Sequence, residues 1–191
     1  MMINDKVNEL KKALDETLSC EKEKIEEACN LLKECLISGG KILVCGNGGS
    51  AAEAQHMSAE FISRLKDDRR ALASIALTTD SSILTACGND YGFEKIFSRQ
   101  VDALACEKDV LVCLTTSGKS PNLIEAAKSA RELKCKVLSL TGINESLLEK
   151  ESDLTIKCQS DKTARIQEVQ LFIIHHLVGE AEKPFLDKQY I

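Results

Sequence analysis

Two patterns of hydrophobic and polar residues divide the chain, and the change between them comes at Gly39 and Gly40. From about Val7 to Ile37, apolar residues recur at helical spacing with Glu and Lys between them, which predicts one long amphipathic helix. Glycines commonly follow the last residue of a helix. We therefore expect a single domain over residues 1–191, in which residues 1–39 form a helical segment and residues 40–191 form the core.

Short, continuously apolar runs alternate with helical patterns after Gly40. The pattern predicts strands at residues 41–45, 72–77, 109–114, 136–140 and 154–156, and helices at 50–64, 93–104, 121–133, near 145, and 163–182. Strands that are apolar along their whole length and separated by helices indicate a parallel sheet covered on both faces. The sequence thus predicts an α/β three-layer sandwich with a five-stranded parallel sheet flanked by helices.

Composition and charge narrow the range of partners. The formal net charge of -5 offers no broad basic surface, so we expect no nucleic acid partner. The longest apolar stretches, such as residues 71–77, are far shorter than the roughly 20 residues that span a bilayer, so we expect no membrane partner. Nine cysteines are present, an odd number, with no C-x-x-C pair. Together with a polar N-terminus that lacks a secretory signal, they indicate reduced thiols in a cytoplasmic protein.

Two small, polar loops follow predicted strands and precede predicted helices. The first contains Asn47, Gly48, Gly49 and Ser50, and the second contains Thr115, Thr116, Ser117 and Ser120. In an open parallel sheet, anions collect where strands lead into helix N-termini, because unpaired N–H groups and the helix dipole both favour negative charge there. The loops therefore predict a site for a phosphorylated small molecule.

Nucleotide-binding motifs fit these loops only in part. Residues 46–51 match the dinucleotide fingerprint G-x-G-x-x-[GA], but the next strand does not end in the acidic residue that would hold a ribose. Residues 118–120 resemble the end of a Walker A loop, but Cys113 stands where its first glycine belongs. We therefore expect a sugar phosphate rather than a nucleotide.

Four side chains on two distant helices form a candidate catalytic group. His56 and Glu60 are one helical turn apart and share a face, and Gln167 and His175 lie just over two turns apart on the last helix, about 80° from each other. The apolar residues around Gln167 and His175 predict that this helix is buried on most sides. A carboxylate beside a divalent cation could move a proton next to a carbonyl, with a histidine as acid, whereas metal-activated water could hydrolyse a bond. Residue types alone leave both reactions open.

Five motifs in order along nearly the whole chain resemble the bacterial phosphoheptose isomerase family of sugar isomerase (SIS) domain proteins. They are residues 45–50, 56–60, 88–93, 116–120 and 164–168. The resemblance implies the SIS fold and conversion of sedoheptulose 7-phosphate to D-glycero-D-manno-heptose 7-phosphate through an enediol, which supplies heptose for lipopolysaccharide or related surface glycans. It also implies homotetramers in which the N-terminal helix joins a central bundle and the active sites lie between subunits.

The same resemblance implies roles for individual residues. Glu60 would be the catalytic base and His175 the acid, and zinc would be bound by His56, Glu60, Gln167 and His175. The substrate would be bound by Asn47, Gly48, Gly49, Ser50, Glu60, Asn89, Asp90, Thr115, Thr116, Ser117, Ser120 and Gln167. The chain departs from the family pattern in carrying Glu53 where Asp is usual and Thr115 where Ser can occur.

A binding protein of the same fold is the alternative. Residues 54–59 and 75–80 also resemble a replication-initiation regulator that binds the initiator protein as a tetramer and has no known sugar chemistry. That relative lacks a carboxylate at the position of Glu60 and a histidine at that of His175. Because this chain has both, the isomerase is the preferred hypothesis.

Overall fold

A parallel sheet of five strands forms the centre of the molecule in a computed structural model, which describes residues 2–186. The strands are β1 (Ile42–Gly46), β2 (Ser74–Ala76), β3 (Val110–Leu114), β4 (Lys136–Gly142) and β5 (Leu154–Cys158). Their order across the sheet is β2-β1-β3-β4-β5, and every neighbouring pair is parallel. The predicted five-stranded parallel sheet is confirmed.

Helices cover both faces of this sheet. They are α1 (Ile3–Ile37), α2 (Gly49–Ile62), α3 (Ser81–Tyr91), α4 (Ser98–Leu104), α5 (Pro121–Glu132), α6 (Leu147–Lys150) and α7 (Thr163–Glu182), with single 3₁₀ turns at Phe93–Lys95 and Lys183–Phe185. Helices α1, α2 and α7 contribute to one hydrophobic cluster, and α4, α5 and α6 contribute to the other. The arrangement is the three-layer α/β sandwich expected from the sequence.

Alternate residues of each strand belong to opposite faces of the sheet. In β1, Ile42 and Val44 lie in the cluster with α1, α2 and α7, whereas Leu43 and Cys45 lie in the other. All five residues of β1 are buried. Two covered faces explain why the strands are apolar throughout, because neither set of side chains reaches water.

Helix α1 ends where the two glycines predict. Gly39 has a φ of +80°, which L-residues with side chains rarely adopt, and the N–H of Gly40 donates to the carbonyl of Cys35 at 2.9 Å. A Cβ on Gly40 would also overlap the carbonyl oxygen of Lys108. The chain can therefore turn directly from α1 into β1. Helix α1 packs against α7.

The segment between β2 and β3 differs from the prediction. We expected one helix over residues 93–104, but the structure has α3, then a 3₁₀ turn, then α4. Helix α3 begins after Asp80, whose side chain accepts a hydrogen bond from the N–H of Ile83 at 2.9 Å, and none of its residues is buried. Only Leu84 and Cys87 of this helix pack, partly buried, against a hydrophobic cluster, so it has little of the apolar periodicity on which the prediction depended. Strand β2 is also shorter than predicted.

Cysteine burial agrees with the expectation of free thiols. All nine cysteines lie within residues 2–186, none forms a disulfide, and six of them are buried. Burial raises the pKa of Cys158 to about 12, so this thiol is protonated and acts as a small apolar side chain. Across residues 2–186, no helix has the length and apolar character needed to cross a membrane.

Candidate active site

The two polar loops meet at the point where the strand order of the sheet reverses. Strands β1 and β3 are neighbours, and from them the chain continues to β2 on one side and to β4 on the other. Ligands of open α/β sheets bind at such a switch point, beside the carboxyl ends of the strands. A cavity of about 230 Å³ lies there, lined by Asn47, Gly49, Ser50, Leu114, Thr115, Thr116, Ser117, Ser120, Thr163 and Gln167.

The first loop needs its glycines for backbone reasons. Gly48, just before α2, has a φ of +56°, which disfavours any residue with a Cβ. A Cβ on Gly49 would overlap the side-chain amide of Gln167. The loop can therefore lie directly against α7, so that one cavity receives groups from both helices.

Hydroxyl groups shape the second loop. The Thr115 hydroxyl accepts from the N–H of Gly118 at 3.2 Å, and the Ser117 hydroxyl accepts from the N–H of Lys119 at 3.2 Å. Gly118 has a φ of +62°, and a Cβ on it would overlap Ser146. Ser120 precedes α5 without making a side-chain capping bond. The loop thus presents hydroxyls at a helix N-terminus, where an anion is favoured.

His56, Glu60 and His175 come together at a second point along the same two helices. Nε2 of His56 is 2.8 Å from Nε2 of His175, and it is 3.6 Å from Oε1 of Glu60. The two rings meet edge to face, with their centroids 5.0 Å apart. One ring carries its proton on Nε2 and donates to the other. The side chains of His56 and Glu60 are 39% and 19% exposed, so a ligand can approach them.

The donor types in this group fit zinc, but the present distances are those of a hydrogen-bonded pair. Two imidazoles and a carboxylate are common zinc ligands, and tetrahedral zinc holds two nitrogens about 3.3 Å apart, more than the 2.8 Å seen here. Within residues 2–186, no three His, Cys, Asp or Glu side chains are placed to hold a metal ion as they stand. Zinc binding therefore stays a prediction. Gln167, the fourth predicted ligand, lines the loop cavity.

Glu53 is an acidic side chain buried near the first loop. Burial raises its pKa to about 7, against a smaller lowering by a hydrogen bond with Ser50. Its Oε2 atom is buried with no hydrogen-bond partner. A buried carboxylate without a second partner favours its neutral form, so Glu53 titrates near neutral pH.

Known proteins of the same length and fold support the sequence resemblance. Residues 5–142 match the model of the SIS domain family. A phosphoheptose isomerase of Campylobacter jejuni is 55% identical over 164 residues, which cover 86% of this chain and 88% of that protein. The chain belongs to the phosphoheptose isomerase family of SIS-domain proteins.

Solved structures from that family share the whole architecture. The phosphoheptose isomerase of Neisseria gonorrhoeae superposes with a TM-score of 0.88 at 41% identity, covering 94% of this chain and 96% of its own. The one from Francisella tularensis gives a TM-score of 0.90 at 38% identity, covering 96% of this chain and 100% of its own. The SIS fold predicted from the motifs is thereby confirmed.

Not all residues implied by the family resemblance meet within this chain. Asn89 and Asp90 lie at the end of α3, where Nδ2 of Asn89 donates to Oδ1 of Asp90 at 2.7 Å, and both are exposed. Neither lines the loop cavity. The expectation that α7 is buried on most sides was wrong at Leu171 and Phe172, which are 36% and 47% exposed and leave an apolar strip on α7 open to solvent.

Two buried amides that hold the loops were missed in the sequence. Asn122 pairs with Asn47, and Gln170 donates from Nε2 to the carbonyls of Thr115 at 2.8 Å and Leu140 at 2.9 Å. Gln170 is fully buried, and its Oε1 atom has no partner. An isolated amide on the apolar face of a helix was the available signal, because such a group needs a partner.

Proposed function

We propose that this chain interconverts sedoheptulose 7-phosphate and D-glycero-D-manno-heptose 7-phosphate. The observation that carries the proposal is the meeting of Glu60 and His175 around His56, on the two helices whose first turns line the loop cavity. Glu60 and His175 each lie beside His56, and a carboxylate and an imidazole that face one site can act as its base and its acid. Close relatives named phosphoheptose isomerase make the heptose phosphate the most specific substrate for that chemistry.

The substrate's phosphate would bind at the hydroxyl loop. Thr115, Thr116, Ser117 and Ser120 surround the cavity at the start of α5. Ser50 and His56 are six residues apart on α2, which is about 9 Å along the helix axis. An extended heptose 7-phosphate can span this distance, so its first two carbons would lie beside Glu60 while the phosphate stays in the loop.

The reaction moves one hydrogen between adjacent carbons. The Glu60 carboxylate takes a proton from carbon 1 of the ketose, and the electron pair forms the carbon–carbon double bond of an enediol as the carbonyl oxygen receives a proton from His175. Glu60 then returns its proton to carbon 2, and His175 recovers a proton from the oxygen on carbon 1. The product is the aldose, with both side chains restored to their starting states.

Zinc completes the proposed site. Its ligands would be His56, Glu60, Gln167 and His175, whose nitrogen and oxygen donors match zinc preferences. When bound, the ion would polarise the substrate's oxygens and so ease removal of the proton from carbon 1. Gln167 would also contact the substrate, because it lines the cavity.

A homotetramer with active sites between subunits belongs to the same proposal. No residue of α3 is fully buried within this chain, and Asn89 and Asp90 at its end do not line the cavity. Ile3, Val7 and Leu18 of α1 are exposed, as expected for a helix that packs in an oligomer. We further propose that the enzyme works in the cytoplasm and supplies heptose for lipopolysaccharide or a related surface glycan.

Direct turnover tests the proposal. The pure protein would be incubated with sedoheptulose 7-phosphate, with and without a chelator, while heptose 7-phosphate is followed by NMR. We expect conversion that the chelator abolishes and added zinc restores. No conversion, together with measurable affinity for the replication initiator protein, would favour the binding regulator instead. Release of inorganic phosphate would indicate hydrolysis.

A further inference from the structure

A buried ion pair ties together the two helices that carry the proposed acid and base. Arg69 follows α2 in the chain, and its side chain has no exposed surface. Its Nε and Nη2 atoms lie 3.1 and 3.0 Å from Oε2 of Glu182, the last residue of α7. The side chain of Glu182 is only 4% exposed, so water does little to screen this pair.

The same guanidinium also holds the end of α2. Nη2 donates to the carbonyl of Glu60 at 2.9 Å, and Nη1 donates to the carbonyls of Phe61 at 2.9 Å and Ser63 at 3.0 Å. The last carbonyls of a helix have no hydrogen-bond donor within it, and here one side chain donates to several of them. The planar fork of five N–H donors makes this possible. Arg69 therefore bonds the backbone of Glu60 itself.

The neighbouring residues reinforce this connection. The Arg70 guanidinium lies 4.7 Å from the ring centre of Phe185, which follows α7. A Cβ on Gly179 of α7 would lie 3.4 Å from the Leu65 side chain, so the segment after α2 packs closely on α7. The segment after α2 is thus held against the end of α7 at several points. These contacts fix the distance between the two helices near Glu60.

We propose that Arg69 is a positioning residue for the isomerase reaction, and that with Glu182 it sets the separation of Glu60 from His175. The proposal rests on the proposed function. Arg69 touches neither the loop cavity nor the imidazole pair, so it acts only through the helices. Misplacing a catalytic group by about 1 Å can lower the rate about 100-fold. Loss of Arg69–Glu182 should therefore lower kcat and leave substrate binding at the loops intact.

The test compares two ion pairs that each contain a buried carboxylate. Glu182→Gln removes the charge at α7, and Arg69→Lys keeps the charge but cannot reach all the carbonyls from a single nitrogen. The control is Asp109→Asn, because Asp109 is 1% exposed and bonds Nζ of Lys41 at 2.6 Å just before β1 and β3 begin, and its side-chain hydrogen bonds go to Lys41 and Cys106 rather than to α2 or α7. Each variant is assayed at a temperature where circular dichroism shows it folded.

Both Arg69→Lys and Glu182→Gln should lower kcat about 10- to 100-fold with KM changed less than about threefold. Asp109→Asn should keep kcat within about threefold. The second readout needs no activity: the chain has three histidines, and their ¹⁵N-labelled ring signals report the His56–His175 contact. The chemical shifts of these signals should change in Arg69→Lys and Glu182→Gln and stay the same in Asp109→Asn.

Unchanged kcat and unchanged ring signals in a folded Glu182→Gln or Arg69→Lys protein would overturn the positioning role. An equal loss of kcat in Asp109→Asn would do the same, since it would trace the effect to general destabilisation. If the unaltered protein shows no turnover of sedoheptulose 7-phosphate, the proposed function fails, and the ring signals alone decide whether Arg69 and Glu182 position the two histidines.

Discussion

The side-chain amides of Asn47 and Asn122 bond to each other in both directions. Nδ2 of Asn47 donates to Oδ1 of Asn122 at 2.9 Å, and Nδ2 of Asn122 donates to Oδ1 of Asn47 at 2.8 Å. Asn122 is 1% exposed. The pair joins the glycine loop to the first turn of α5, so two hydrogen bonds link the two halves of the proposed phosphate site.

Removal of this amide pair should weaken substrate binding. Asn122→Ala leaves the amide of Asn47 without its partner, which costs about 1–3 kcal/mol. We expect KM for sedoheptulose 7-phosphate to rise about tenfold, measured by steady-state kinetics. Asn30→Ala is the matched control, because Asn30 is exposed on α1 and its side chain accepts a hydrogen bond from the nearby Lys33. An unchanged KM in Asn122→Ala would show that the loops keep their places without the pair.

Glu60→Gln should abolish isomerisation while the protein stays folded. The amide has almost the same shape but cannot take a proton from carbon, and general-base catalysis contributes about 10²–10⁴-fold. Turnover followed by NMR should fall by at least that factor, with an unchanged circular dichroism spectrum. Glu132→Gln, at an exposed position of α5, serves as the control. Near-normal turnover in Glu60→Gln would remove the base from the mechanism.

Adjacent histidines allow a sharp test of the metal. His175 contacts His56 at 2.8 Å, whereas His176 is exposed and lines a different cavity, between α1 and α7. His175→Ala should lose both bound zinc and activity, and His176→Ala should keep its zinc. Elemental analysis of the purified variants measures this directly. Stoichiometric zinc in His175→Ala would show that the ligand set is wrong.

The titration of Glu53 should appear in the pH dependence of stability. Its pKa is raised from 4.5 to about 7 by burial, so the folded state holds this proton more tightly than the unfolded state. The contribution of this proton to the free energy of unfolding is fully present below about pH 4.5 and is lost as the pH rises through 7.

Glu53→Gln should remove that dependence. Because the side chain keeps partial access to water, we expect the variant to gain about 1–2 kcal/mol relative to the unaltered protein between pH 4.5 and pH 8. Urea unfolding at the two pH values measures the difference. A constant difference would mean that Glu53 does not change its ionisation on folding over this range.

Helices and strands that bury an apolar face could be predicted from the sequence. A helix without a fully buried face could not. Helix α7 begins and ends where its periodicity predicts, because Ile166, Val169 and Ile173 pack against the sheet. Helix α3 was missed because none of its residues is fully buried and only Leu84 and Cys87 pack, partly buried, against a hydrophobic cluster. Asn89 and Asp90 were named only through the family motif, and both are exposed at the end of this helix.

Long-range side-chain pairs were the least predictable features. The shared face of His56 and Glu60 follows from helical spacing, but the approach of His175 depends on how α2 and α7 cross. Arg69 lies in a segment of mixed basic and acidic residues after α2, and no local pattern shows that it reaches Glu182, 113 residues away. Such contacts are set by tertiary packing alone.

Hydrogen exchange at carbon tests the central claim most directly, because it reports proton removal by Glu60 rather than net turnover. Sedoheptulose 7-phosphate would be incubated in D₂O with the zinc-loaded protein, and the loss of the proton signal from carbon 1 followed by NMR. An enediol formed by Glu60 predicts exchange with the unaltered protein and none with Glu60→Gln. Deuterium enters while the removed proton is held on Glu60, so equal exchange in both proteins would contradict the account.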